Sequence, residues 1–279
     1  MKIRKIIIVT TVFVVSIAAF YFAPLGNHWV DIFRPATLKF IHLENPYAVD
    51  GFFNPPWGLI PLIPFSYLPE RLGSAILSSL SLWGFSYIAY RFGARKWILV
   101  AYIAMPLTFF NILNINLDIF VALGFLLPPR WGLCLVLLKP QLGIGIGIYW
   151  FIMAFKSGGL KRVASTFAPA SLLFIASLLI YGNYIQKSAE LLNYRQMIWH
   201  ISIPVGLILL TAALRMNQSG YAIAAGPFFA PYIMPYSMPI ALLGLIDNPY
   251  LAIPAILGLT IIVIDPAELF ILSPWLFGY

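Results

Sequence analysis

The chain has 279 residues, of which 61% are hydrophobic and only 9% are charged. So few charges cannot solvate the surface of a water-soluble globule, and the composition excludes a soluble domain carrying one membrane anchor. Apolar runs of about 20 residues, long enough to cross a bilayer as helices, recur from Lys5 to the C-terminus. Because no segment alternates with the period of two typical of membrane strands, the sequence predicts an all-α, polytopic transmembrane bundle.

The net charge of +8 does not indicate binding to nucleic acid. The 17 lysines and arginines are scattered through apolar sequence and do not form a stripe beside aromatic residues. Orientation of the chain across a membrane explains these cations better. Cys134 is the only cysteine, which excludes a disulfide framework and a cysteine-based metal site.

The N-terminal sequence MKIRK is followed by the apolar run IIIVTTVFVVSIAAF. This pattern resembles a signal peptide, but a small-x-small cleavage site is missing, so we interpret it as a retained first transmembrane helix. The basic residues Lys2, Arg4 and Lys5 are predicted to stay in the cytoplasm, which places the end of the helix near Phe22 outside.

Residues 24–55 form the longest stretch that is not predicted to span, the first outer loop. On a helical wheel its residues separate into an apolar side and a charged side. The apolar side holds Trp29, Phe33, Ala36, Phe40 and Leu43, and the opposite side holds Asp31, Arg34, Lys39 and His42. This pattern predicts an amphipathic helix that lies in the membrane interface, with Pro35 in its first turn or breaking it.

The remaining apolar segments follow in chain order. The run at 57–69 is short and carries three prolines, which predicts a broken or re-entrant helix. Further spans are predicted near 73–90, 97–112, 117–129, 131–155, 163–182, 198–214, 220–246 and 249–264. We expect about nine or ten helical segments in a single membrane domain over residues 1–279.

Two basic clusters are predicted to lie on the cytoplasmic side of the membrane. The first is Arg91, Arg95 and Lys96, and the second is Lys156, Lys161 and Arg162. A cytoplasmic first cluster requires that residues 57–69 do not cross the membrane completely. The loop holding Lys187, Glu190 and Arg195 is then expected outside.

Ionisable groups within or beside spans cost about 2.5 to 3.5 kcal/mol on insertion scales, so each requires a reason to be there. Asp31 follows the first predicted helix by a few residues, and Asn114, Asn116 and Asp118 lie at a predicted helix junction. Lys139 lies in the apolar run LVLLKPQLG directly before a helix-disrupting proline. These are the positions where chemistry is expected.

The order of several motifs resembles the GT-C superfamily of membrane glycosyltransferases, especially glycosyltransferase family 87, which uses polyprenyl-phosphate mannose. Asp31 is followed by NPY at 45–47, NPPWGLIPLIPFSYLP at 54–69, NINLD at 114–118, LKPQ at 138–141 and APYIMPYS at 230–237. The chain departs from the family in being shorter than typical members, and Asn54 stands where the family usually has an aromatic residue.

The resemblance implies a GT-C bundle in the cell membrane that transfers a hexose, with mannose as the first candidate, from a polyprenyl phosphate with inversion. It also implies an acceptor that is a lipid or a surface glycan on the non-cytoplasmic side. In this interpretation Asp31 is the base for the acceptor hydroxyl, and cations stabilise the departing phosphate. The candidate substrate-binding residues are Arg34, Lys139, Arg195 and His200 for the phosphate, Asp118 and Asn116 for a sugar, Gln141 in LKPQ, and Tyr47, Trp57, Tyr232 and Tyr236 lining a sugar or prenyl site.

Structural explanations stand beside these roles. Asp31 is also suited to capping the interfacial helix, and Arg34 is suited to binding lipid headgroups or snorkelling from the interface. Lys139 is able to reach a helix end or a structural carboxylate such as Asp118. The histidines are too scattered to predict a metal site, and a divalent cation held by Asp31, Asp118 and phosphate is left open.

Two other classes of function remain. A transporter or lipid flippase also has proline-broken helices with intramembrane charges, but the sequence has no evident pair of similar halves. A structural membrane subunit would leave Asp31, Asp118 and Lys139 without a shared purpose.

Overall fold

The computed structural model describes residues 2–184, 186 and 199–264. It confirms the all-α class, since no strand occurs within these ranges. The α-helices are α1 (Lys2–Tyr21), α2 (Arg34–Ile41), α3 (Ile63–Ser66), α4 (Glu70–Arg91), α5 (Lys96–Ala104), α6 (Pro106–Asn114), α7 (Asp118–Gly124), α8 (Pro129–Val136), α9 (Pro140–Tyr181), α10 (Trp199–Met216), α11 (Ser219–Phe229), α12 (Met238–Leu242) and α13 (Pro249–Ile264). A π-helix (His28–Phe33) and four 3₁₀ helices (Pro46–Ala48, Pro56–Leu62, Pro235–Ser237 and Leu243–Leu245) join them.

The described helices are more numerous and shorter than the nine or ten segments predicted. The predicted span at 220–246 is divided between α11, α12 and two 3₁₀ helices, and the predicted span at 117–129 contains only the short α7. Prolines are the main cause, since a proline lacks the backbone donor that continues a helix. The run at 57–69 is broken as predicted, into a 3₁₀ helix and the single turn α3.

Among the described residues, two helices, α4 and α9, are long and apolar enough to cross a membrane. The pair α5 and α6 makes a third if it is counted as one span, although the two helices are bent by 61° at Met105. In the most apolar stretch of α9, only 17% of the residues are buried inside the protein. An apolar helix left so exposed is unfavourable in water and is typical of contact with lipid.

Helix α9 is a hairpin of two antiparallel arms. Gly158 and Gly159 have non-helical dihedrals, and Gly159 has a positive φ of 59°, which glycine adopts without steric cost. The rings of Phe151 and Phe167 lie 6.1 Å apart, whereas a straight helix would separate them by about 24 Å. The chain therefore reverses between the predicted spans at 131–155 and 163–182, at the predicted basic cluster. We call residues 156–162 the hairpin tip.

The first outer loop packs against the start of α4. Trp29, Phe33 and Ala36 are buried as the helical wheel predicts, and the indole Nε1 of Trp29 donates to the Glu70 carbonyl at 3.1 Å. Pro35 lies in the first turn of α2, where a proline is tolerated. Phe40 is partly buried. The prediction for Leu43 is wrong, because α2 ends at Ile41 and Leu43, with φ of 60°, is 91% exposed.

Helices α9 and α11 approach each other backbone to backbone through glycines. A Cβ added at Gly145 would collide with the carbonyl oxygen of Ala222, and one added at Gly226 would collide with the carbonyl oxygen of Leu142. This contact fixes α11, and with it the APYIMPYS segment that follows, beside the first arm of α9. Small residues allow such close helix contacts in membranes.

The glycine contact predicts opposite effects of one substitution at two nearby positions of α9. Gly145→Ala should lower the thermal unfolding midpoint in detergent, because overpacking costs about 1 to 3 kcal/mol. Gly147→Ala is the matched control, since nothing lies within 4 Å of a Cβ there; it should leave the midpoint unchanged or raise it, by up to about 1 kcal/mol. Equal effects of the two variants would contradict the close contact.

Candidate functional site

Two breaks in the helices bring Asp118 and Lys139 together. Helix α6 ends at Asn114, and the next residue, Ile115, has a positive φ of 55°, so the chain turns sharply before α7 begins at Asp118. Lys139 has a non-helical backbone, with φ of −138° and ψ of 86°, directly before α9, and Pro140 is the first helical residue. A proline is well suited to that position, where its missing donor would have no helical partner. The break at Lys139 thus separates α8 from α9.

Asp118 and Lys139 form a buried ion pair. The ammonium Nζ lies 2.6 Å from Oδ1 of Asp118, and the two side chains are 7% and 0% exposed. The other carboxylate oxygen, Oδ2, accepts hydrogen bonds from Asn111 Nδ2 at 2.5 Å and from Ser237 Oγ at 2.7 Å. Additional hydrogen bonds of this kind are what allow a charge pair to be buried without a large net penalty.

The segment at 236–237 completes the surroundings of the ammonium group. Lys139 Nζ donates to Ser237 Oγ at 3.3 Å and lies 5.3 Å above the ring of Tyr236, a cation–π arrangement. Asn111 Nδ2 also donates to the carbonyl oxygen of Tyr236 at 2.9 Å. The PYS segment at 235–237 therefore contacts both Lys139 and Asp118.

His28 and Asn116 extend this group towards the first outer loop. His28 Nδ1 and Asn116 Nδ2 lie 3.3 Å apart, and the His28 ring contacts the Tyr236 ring edge-to-face with centroids 5.5 Å apart. Together, these contacts define what we call the polar cluster: His28, Asn111, Asn116, Asp118, Lys139, Tyr236 and Ser237.

The imidazole of His28 is neutral at neutral pH. The pKa of His28 is lowered to about 4, chiefly by burial and also by the charge of Lys139, while the charge of Asp118 opposes both effects. His28 lies in the short π-helix, outside the helices that are long and apolar enough to span a membrane.

The NPP motif is hydrogen-bonded to the LKPQ segment, and the NPY motif is hydrogen-bonded to the NPP motif. Asn54 Nδ2 donates to the Leu138 carbonyl at 2.9 Å, and the Tyr47 hydroxyl donates to the Asn54 carbonyl at 3.0 Å. Tyr47 also stacks on Tyr184 with centroids 4.7 Å apart. Trp57 Nε1 donates to the Cys134 carbonyl at 2.8 Å. The NPY and NPP motifs thus support the backbone that presents Lys139.

Asp31 lies outside the polar cluster. It is exposed, three residues after His28 on the π-helix, so that the same short element turns His28 inward and Asp31 outward. Arg34 follows three residues later and is partly buried, with NH1 at 3.8 Å from a Glu70 carboxylate oxygen. Its Nε is buried and has no hydrogen-bond partner among the described residues.

The other predicted site residues are placed as follows. Gln141 is partly buried in the first turn of α9, and Tyr232 is partly buried between α11 and the 3₁₀ helix at Pro235–Ser237. Arg195 lies outside the described residues. His200 belongs to α10, but its side chain is outside the description. The structure therefore brings together Asn116, Asp118, Lys139 and Tyr236 and leaves Asp31 and Arg34 as a separate pair of charges.

Sequence reasoning missed Asn111 and Ser237 and assigned no site role to His28, which it grouped with histidines too scattered to predict a metal site. Asn111 had a readable signal, because an amide inside an apolar span is costly without a partner. Ser237 ends the APYIMPYS motif, but nothing local to it indicates a contact 119 positions away.

Asp31 and Asp118, the two carboxylates that the sequence left open as ligands of a divalent cation, lie in different surroundings. Both oxygens of Asp118 already face Lys139, Asn111 or Ser237, and Asp31 lies outside the cluster. In the part of the chain that the structure describes, no group of three or more His, Cys, Asp or Glu side chains is arranged to hold a metal ion.

Comparisons with protein-family models, with curated proteins and with solved structures find no match to this chain. The resemblance to glycosyltransferase family 87 accordingly rests on the motifs and their order.

The ion pair predicts a non-additive mutant cycle. Lys139→Met and Asp118→Asn should each destabilise the protein strongly, by about 3 to 5 kcal/mol, because each leaves a buried partner uncompensated. The double variant should recover much of that loss. Thermal unfolding in detergent measures this. The exposed pair Lys39–Glu44, at 2.8 Å, is the control, and Lys39→Met should have little effect. Additive losses at 118 and 139 would contradict the pair.

His28 predicts a loss of stability in mild acid. Its pKa is near 6.5 in the unfolded chain and about 4 in the folded one, so between these values the unfolded state binds more protons. Folding stability due to His28 is complete above about pH 6.5 and falls as the pH drops towards 4, by up to about 1.4 kcal/mol per pH unit. The unfolding midpoint of His28→Gln, followed from pH 7 to 4.5, should decline less steeply than that of the wild type. Parallel curves would exclude this role.

Proposed function

We propose that this chain is a membrane glycosyltransferase. It moves a hexose, with mannose as the first candidate, from a polyprenyl-phosphate donor to a lipid or surface glycan on the non-cytoplasmic side of the cell membrane, with inversion at the sugar carbon. One observation carries the proposal. Four motifs that resemble family 87, at 54–69, 114–118, 138–141 and 230–237, converge on or beside a single buried polar cluster.

This convergence supports a shared purpose for the motifs. A structural subunit gains little from a buried ion pair, because well-packed apolar residues are often equally or more stable. Retaining Asp118, Lys139 and their hydrogen-bond donors in an apolar chain is more readily explained by a site that must be held rigidly. Catalytic groups need such supporting contacts to keep their positions.

The geometry divides the predicted roles between two places. Asp118 is fully buried and engaged by three donors, which makes it a poor base and a good anchor for Lys139. Asp31 is exposed and has no ion-pair partner among the described residues, so an acceptor hydroxyl is able to reach it. It remains the base in this proposal.

The proposed reaction is a single displacement. The acceptor oxygen forms a bond to the anomeric carbon, the bond between that carbon and the phosphate oxygen breaks, and the polyprenyl phosphate leaves with the bonding electrons. Asp31 takes the proton of the acceptor hydroxyl. Arg34, three residues away and with an unused buried N–H, is the nearest candidate along the chain for stabilising the phosphate.

A transporter or lipid flippase is the second candidate. The observation that favours it is the ion pair itself, since Asp118 and Lys139 both lie at helix breaks, as transport sites often do. A transporter would move its substrate across liposomes without forming a new glycosidic bond.

The test is sugar transfer in liposomes reconstituted with the full chain. Radiolabelled polyprenyl-phosphate mannose is the donor and lipid extracted from the host is the acceptor. Wild type should form labelled product, and Asp31→Asn should reduce its rate at least about 100-fold. Asp50→Asn, the same change at another exposed aspartate of the first outer loop, should retain the wild-type rate.

The outcomes separate the candidates. Equal rates for wild type and Asp31→Asn would show that Asp31 is not the base. If no labelled product appears with mannose or with other polyprenyl-phosphate hexoses, while labelled donor crosses the bilayer, the transferase proposal fails in favour of the transporter.

A further inference from the structure

A second polar site lies at the end of the first arm of α9 that is far from Lys139, in a pocket of about 520 Å³. The start of α8 and the two arms of the α9 hairpin form its walls. Its lining includes Arg130, Trp131, Trp150, Arg162, Ser165 and Thr166, and none of the residues of the polar cluster. The pocket is therefore distinct from the candidate functional site.

The pocket carries positive charge that no carboxylate among the described residues neutralises. Arg130 comes from α8 and Arg162 from the second arm of α9. Neither forms an ion pair with a described carboxylate, and no Asp or Glu is among the residues that line the pocket. The Arg130 guanidinium lies 5.3 Å from the centre of the Trp131 ring, which holds it by a cation–π contact. Lys156 and Lys161, both exposed in the hairpin tip, add to the local potential.

The hydroxyl groups in the pocket are arranged to accept hydrogen bonds. Ser165 Oγ and Thr166 Oγ1 each donate to the Arg162 carbonyl at 2.9 Å. Their protons are thus already used, and their oxygens retain lone pairs for a ligand hydroxyl. A ligand suited to this lining has an anionic oxygen cluster for the two arginines and hydroxyls for Ser165 and Thr166.

The position of the pocket indicates where such a ligand comes from. The arms of α9 are apolar and largely exposed, so the hairpin tip lies where the apolar surface ends. Trp131 is 55% exposed beside Arg130, a combination typical of the membrane–water boundary. A pocket of this size accommodates a headgroup. We propose that the pocket binds the phosphate of an anionic phospholipid, with Arg130 and Arg162 contacting the phosphate.

The test is the thermal unfolding of the full chain in detergent, with added phosphatidylglycerol or phosphatidylcholine of the same acyl chains. Phosphatidylglycerol should raise the unfolding midpoint of wild type, and phosphatidylcholine should not. In Arg130→Gln/Arg162→Gln the concentration of phosphatidylglycerol that gives the half-maximal shift should rise at least fivefold. The matched control Arg95→Gln/Lys96→Gln removes the same charge at another exposed basic cluster and should behave as wild type.

Three outcomes would overturn the proposal. An equal loss in both double variants would mean that net charge alone attracts the lipid. An unchanged response in Arg130→Gln/Arg162→Gln would exclude the pocket. A full shift produced by inorganic phosphate or glycerol 3-phosphate alone would identify a soluble phosphate ester as the ligand and exclude a lipid.

If the double variant does not fold, Arg130→Lys and Arg162→Lys serve in its place, because they keep the charge but lose the planar fork that binds phosphate through two bonds. Lipid retained by each purified protein, measured by native mass spectrometry, then gives the readout. Loss of retained phosphatidylglycerol in the lysine variants supports the pocket, and wild-type retention contradicts it.

Discussion

The ion pair between Asp118 and Lys139 is the interaction on which the rest of the structure depends. Burying two opposite charges in an apolar interior costs less when further hydrogen bonds satisfy their remaining lone pairs and protons. The break after α6, the non-helical backbone at Lys139 and the 3₁₀ helix at Pro235–Ser237 place the groups that make these contacts. The close glycine contact between α9 and α11 has the same effect, since it keeps the late segment within reach of the pair.

The ion pair also indicates which charged side chains of this chain have a structural role and which are left for chemistry. Lys139 had both a catalytic and a structural interpretation, and its ammonium group is directed at Asp118 and Ser237. The chemistry proposed here therefore lies nearer the first outer loop, where Asp31 and Arg34 are exposed or partly exposed. His28 connects the two regions, because it belongs to the same π-helix as Asp31 and contacts Asn116.

Composition and apolar runs predicted the helical class, the position of α13 and the turn inside α9. They failed for the predicted spans at 117–129 and 220–246, because single prolines and turns divide an apolar run without changing its hydropathy. For the site, costly ions in an apolar chain identified Asp118 and Lys139. Of their partners, Asn111 carried a signal as an amide inside an apolar span, whereas Ser237 was not predictable, since a contact across 119 positions leaves no local pattern.

The wide separation of these partners has a consequence for the order in which the protein is assembled. Asn111, Asp118 and Lys139 emerge from the ribosome close together, so the carboxylate has its first two partners early. Ser237 and the Tyr236 ring follow only after the hairpin of α9 and the helices α10 and α11 have been made. Until then the ammonium group is only partly enclosed. Synthesis of the chain as far as Ser237 is thus the step that completes the contacts of the ion pair.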